Sequence, residues 1–174
     1  MRYIILLVLM LTTQISYSDS NGFSYAVLDY EYVIQNSKVF QNLESKIEAK
    51  RSNFFSEAQK AEKFLTKQRE ELELKCKLIE RTECESKLRK NLSEFDELNQ
   101  KYRAKRSSLN DLFLKSTQKI QDHLSRIIQD KIKKEQYSIV FDRRALIHID
   151  DTKDITQDVL SMLNKDISSI NIEQ

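Results

Sequence analysis

Between Lys38 and Lys134 the chain carries neither proline nor glycine. No other feature restricts its fold so strongly. Charged residues, Gln and Asn fill most of this stretch, and single apolar residues return every three or four positions. That is the pattern of long amphipathic helix. Proline is absent from all 174 residues, Gly22 is the one glycine, and 32% of residues are charged. A breaker-poor, charge-rich chain of this length describes helical rods with a small appendage, not a thick globular core. The formal net charge is only +2, which argues against a nucleic-acid partner.

Ahead of the helical stretch, Arg2 supplies a charged start and Tyr3 to Leu11 an apolar run. Ser16-Tyr17-Ser18 places small residues where a signal peptidase reads. Residues 1–18 therefore read as an export signal cleaved near Ser18, with an uncleaved anchor as the alternative. Without Arg2, the 29 basic residues become 28 against 27 acidic, so the mature chain is close to neutral.

Ser24 to Leu28 reads as a short strand, and Asp29 as the acceptor opening a helical turn over Tyr30–Gln35. Tyr32 and Val33 are candidates to face inward. Ser37 is a plausible N-cap for the long helix. On the outgoing half, Leu43, Ile47, Phe54, Ala58, Ala61, Leu65, Leu72 and Ile79 form one stripe. Phe55 and Phe64 widen it, and Arg51, Gln68 and Lys75 interrupt it. The returning half shows Leu88, Leu92, Phe95, Tyr102, Leu109, Phe113, Ile120 and Ile127, with Asn99, Arg106, Ser116 and His123 as polar breaks. A thin, interrupted seam suits two or three helices and flexible arms.

Nothing local announces a turn. Symmetry about Lys77–Glu83 favours a hairpin, because folding there returns the chain to its first strand. Beyond the helices, Tyr137–Phe141 and Ala145–Ile149 read as two further strands separated by a turn at Arg143-Arg144. Asp154 can cap a final helix, with Gln157 as its reciprocal partner. Ile155, Val159, Leu160 and Leu163 give that helix an apolar face, and 166–174 reads as a frayed tail. The expected architecture is α+β, mainly α. A helical hairpin over 38–134, its tip near 76–84, rises from a β-rich base of 19–37 and 135–174. So small a base buries little by itself, so a homo-oligomer is expected.

This layout resembles the OmpH/Skp family of periplasmic chaperones. The likeness is carried by Tyr137-Ser138-Ile139-Val140-Phe141-Asp142, Ala145-Leu146-Ile147-His148 and Lys153-Asp154-Ile155-Thr156-Gln157-Asp158-Val159-Leu160, with Tyr25-Ala26-Val27-Leu28-Asp29 as the opening strand. The resemblance implies a homotrimer with an intersubunit β-base. Its three arms would enclose a cavity and hold unfolded outer-membrane proteins in the periplasm without ATP. The family's better-known members are strongly basic, and this chain is not.

Cys76 and Cys84 are the only cysteines. On one straight helix they would stand about 12 Å apart along the axis, too far to bridge. On opposite arms of a hairpin they can meet, and an oxidising compartment would join them; free thiols are the alternative. No histidine stands near enough for a metal site. Lys87, Arg89 and Lys90 read either as a solvated face paired along the helix or as a contact for an anionic membrane surface or lipopolysaccharide. His123 and His148 read as structural or surface residues. There is no G-x-S-x-G, phosphate loop or triad, so no enzyme and no cofactor is expected. The leading reading is a holdase chaperone. An exported coiled-coil spacer or tether is the alternative, and a peptidoglycan or lipid-binding adaptor a third for which no specific motif is found.

Overall fold

The computed structural model describes residues 23–172. The export signal expected at 1–18 lies outside them. The elements in order are β1 (Tyr25–Leu28), α1 (Tyr30–Asn36), α2 (Lys38–Lys75), α3 (Arg81–Glu135), β2 (Ile139–Asp142) and α4 (Thr156–Asp166). Short 3-10 turns occupy Arg143–Ala145 and Asp151–Lys153.

α2 and α3 are an antiparallel pair, and four contacts mark it from root to tip. Phe40 meets Phe113 with ring centroids 6.0 Å apart. Phe54 stacks on Tyr102 at 5.2 Å. Asn91 Nδ2 donates to the Leu65 carbonyl at 3.2 Å. Cys76 is bonded to Cys84 across the turn. With 38 and 55 residues, the helices are about 57 and 82 Å long.

The chain turns between them without glycine because no position there needs a left-handed backbone. α2 ends at Cys76 in right-handed helical geometry, and Leu78 N–H donates to the Lys75 carbonyl at 2.9 Å. Among the described residues the only positive φ outside glycine is Gln136, at 54°. It ends α3 in the left-handed conformation that glycine usually supplies.

At the root, local capping matches expectation. Asp29 accepts from Tyr32 N–H at 2.8 Å. Ser37 breaks the helix with ψ 141°, accepts from Phe40 N–H and donates to the Ile34 carbonyl. It is fully buried, so both bonds matter. Val33 faces inward, but Tyr32 is exposed and Ile34 is buried in its place.

β1 pairs in parallel with β2, Tyr25 opposite Ile139 and Leu28 opposite Asp142. On its other side Ile155 N–H donates to the Val27 carbonyl at 2.9 Å. Flanked on both sides, β1 buries Ala26, Val27 and Leu28 with no alternation. β2 has a mostly exposed pattern, and Ile139 and Phe141 stand at the surface.

Four expectations need correction. Ala145–Ile149 is not a strand. Ala145 closes a 3-10 turn, and the residues that follow have no ladder partner among the described residues. A strand without a partner cannot satisfy its backbone, and Ile147 is entirely exposed. The sheet therefore has two strands, not three. The tail is not frayed up to residue 172. Ile167, Ile170 and Ile172 pack into the root cluster, and Asn42 Nδ2 donates to the Ser168 carbonyl at 2.9 Å. Asp154 does not form a capping box with Gln157. It accepts from Thr156 N–H two residues on, and the helix begins at Thr156 after Ile155. Finally, Leu92 is 56% exposed, and Asn91 takes the seam position beside it. Asn99 and Arg106 likewise lie exposed.

Candidate functional site

The arm surface is the chain's main functional candidate, and its character changes along its length. Close to the root, Val39, Leu43, Ile47, Ile120, Leu124 and Ile127 are buried together with Val159 and Leu163 of α4. Lys38 N–H donates to Asn164 Oδ1, and Asp29 N–H to Thr156 Oγ1, so α4 is tied to the start of α1 and α2. Farther out along the arms, the buried seam residues among those described are Ser116, Leu109, Leu65 and Asn91. Phe55, Phe64, Leu74, Leu78, Leu92 and Leu114 are exposed along the arms. Such apolar residues set in a charged surface offer repeated weak contacts.

Between the root and Leu65 the paired arms bear a cleft of about 850 Å³. Phe54, Phe55 and Tyr102 line it, with Arg51, Arg103, Arg106 and Glu48. The two arginines that interrupt the apolar stripes, Arg51 and Arg106, thus meet at one height. Sequence reading had marked them as interruptions only. Antiparallel pairing, which sets Phe54 against Tyr102, is what brings them together.

At the tip, Cys76 and Cys84 are joined, with Cα atoms 5.2 Å apart, and the described residues contain no free cysteine. Beside them Lys87 pairs with Glu83 at 2.7 Å and Arg89 with Glu85 at 3.5 Å. Lys90 approaches Glu94 at 4.0 Å. Each of these three cations has a carboxylate one turn away on its own helix. Their charge is locally balanced, as in a solvated helix face.

His123 does not enter the core. Leu124 does, and His123 Nδ1 meets Asp166 Oδ2 at 2.7 Å at the foot of the arm. His148 is exposed within the unpaired segment. The polar groups of the base serve turns. Asp142 accepts from the backbone and side chain of Arg144, and those bonds hold its carboxyl below the ordinary aspartate range. Arg144 also contacts Glu31 on α1. Asp150 is lowered in the same way by the backbone and hydroxyl of Thr152. Burial pushes the Tyr30 hydroxyl upward, partly offset by its hydrogen bond to Ser125.

Comparison with known proteins agrees with this geometry. The described fold is similar to a crystal structure of a candidate OmpH-like outer membrane chaperone from Caulobacter crescentus, with a TM-score of 0.80 and 16% identity. The match covers 85% of this chain and 88% of that one. No curated protein sequence matches the chain. The model of the family described as outer membrane protein (OmpH-like) matches residues 24–163, from the opening strand into the final helix. The chain belongs to the OmpH-like family.

Proposed function

We propose that the chain is a periplasmic holdase chaperone. It would work as a homotrimer and keep unfolded outer-membrane proteins from aggregating until they reach the outer membrane. One observation carries this reading: a firmly packed root bears a long two-helix arm with a thin seam and scattered exposed aromatic and leucine side chains. An unfolded barrel protein exposes apolar strands that pair with one another. Arms with no strand edge of their own separate such chains without joining them. Single contacts are weak, and several arms in one assembly combine them through effective concentration. Nucleotide has no part in such holding.

The base supports the trimer. β2 shows its exposed side, and Leu146, Ile147 and Ile149 lie in a segment that has no strand partner among the described residues. Both are suited to strand addition between copies. The disulfide would staple the tip in an oxidising compartment. Contact of Lys87, Arg89 and Lys90 with an anionic membrane surface or lipopolysaccharide is a lesser part of the proposal, since each already has a glutamate beside it.

The test is the solution mass of the protein, followed by addition of a denatured outer-membrane barrel protein without ATP. Three times the chain mass with suppressed client aggregation is the expected result. An elongated monomer or dimer that leaves aggregation unchanged removes the chaperone reading and favours a tether.

A further inference from the structure

The cleft at mid-arm has a composition unlike the surface around it. Seven arginines lie on α2 and α3. Arg51 pairs with Glu48, Arg69 with Glu73, and Arg81 and Arg89 with Glu85, while Arg126 contacts His123. Arg103 and Arg106 alone have no hydrogen-bond or ion-pair partner among the described residues. Both line the cleft. Beside them stand the stacked Phe54–Tyr102 pair and Phe55, which is 57% exposed. Two unpaired guanidiniums beside an aromatic wall form a site with two complementary demands. The wall takes an apolar or aromatic side chain, and the guanidiniums take a carboxylate. An arginine lying over a bound ring adds a cation–π contact.

We propose that this cleft is a docking subsite for an extended polypeptide segment in which an aromatic residue and a carboxylate stand two positions apart. In an extended chain, residues i and i+2 project to the same side, about 7 Å apart. One face of a short segment then meets wall and guanidiniums together. The other face needs no partner, because the cleft is open to solvent. This assignment rests on the chaperone reading and gives it a selective element: acidic-aromatic segments are held at mid-arm, while purely apolar ones find the scattered leucines. The flanking Glu48 is already engaged by Arg51, so it offers a basic segment no free carboxylate.

The test is fluorescence anisotropy of an end-capped, labelled hexapeptide, Ser-Tyr-Ser-Asp-Ser-Tyr, titrated with the full protein. A second peptide carries Lys in place of Asp. The protein variants are R103E/R106E and, should charge reversal disturb folding, Phe55→Ala; circular dichroism melting checks each. The Lys peptide and the R103E/R106E variant are each expected to bind at least about tenfold more weakly, the size of one lost charge-assisted contact. Phe55→Ala weakens both peptides. Equal binding of the two peptides, or unchanged binding by both folded variants, overturns the subsite. Retention of phosphatidylglycerol vesicles that is lost in R103E/R106E, with no peptide bound, overturns it in favour of a lipid surface. The unfolded-barrel aggregation assay is run alongside. Suppression by the native chain with a failed peptide test removes the subsite alone, whereas no suppression removes the chaperone reading and the subsite with it.

Discussion

The root and the outer arm are built from the same helices, yet they solve different problems. At the root, α2 and α3 pack against α1, β1, α4 and the tail, and Val33, Val39, Ile120, Leu124, Val159 and Leu163 are wholly buried. In the outer arm the two helices have only each other. Leu109, Leu65 and Asn91 are buried there, and a solvent-open cleft lies between Leu65 and the root. A helix with one neighbour can bury one stripe, whatever its sequence offers. The difference teaches that stability and adaptability are placed at opposite ends of one hairpin, with the number of packing partners deciding which end is which.

The sharpest way to break this contrast is to cut equal side chains from both ends. Leu124→Ala should destabilise the protein by about 3–5 kcal/mol, since the surrounding elements cannot collapse onto the void. Leu65→Ala should cost about 1–2 kcal/mol, because the arm can close on itself. Equal losses in denaturant titrations would erase the distinction.

Reduction of Cys76–Cys84 comes next. The staple closes a loop with a sequence separation of 8. Chain-entropy arguments give it about 2–3 kcal/mol, felt by the opening of the tip. Hydrogen exchange should therefore quicken around residues 70–90 and stay unchanged at the root. A change that spreads to β1 would show that the arm and root are coupled.

Asn91→Ala sharpens the contrast further within the arm. It removes the hydrogen bond to the Leu65 carbonyl at a cost of about 1 kcal/mol. Its larger consequence is for register, which disulfide trapping of cysteine pairs placed across the arms would read as a mixture.

The smallest effect belongs to the base. The Asp142 carboxyl is lowered in the folded chain by Arg144. A lowered carboxyl contributes stability at neutral pH and loses it as pH falls through the lowered value. Asp142→Asn should flatten that part of the acid profile only slightly, because the pair lies in solvent. A large flattening would mean that this turn is buried in the assembled protein.

Much of this was legible beforehand because it depends on local chemistry. The helical stretch, the Asp29 and Ser37 caps, and the outgoing stripe through Leu43, Ile47 and Leu65 follow from spacing and side-chain type. What stayed hidden depends on partners. Ala145–Ile149 has strand composition, but composition supplies no neighbouring edge. Ile167, Ile170 and Ile172 looked like a loose end because their period matches neither helix nor strand; only the groove beside α2 and α3 gives them a place. The returning seam was misread by one position at Leu92, where a polar residue was the one inside. The mid-arm cleft needed the pairing of two interruptions from opposite helices, which no single-helix pattern displays.

The parallel pairing of β1 with β2 also orders events in time. The strands are separated by the 110 residues between Leu28 and Ile139. A chain that emerges N-terminus first presents β1 long before its partner exists, and both arms are complete while the root is still open. Non-local pairing of this kind closes late. The early chain is therefore a pair of loosely joined helices with no sheet to resist unfolding. Locking follows only when Ile139 and the residues beyond it arrive.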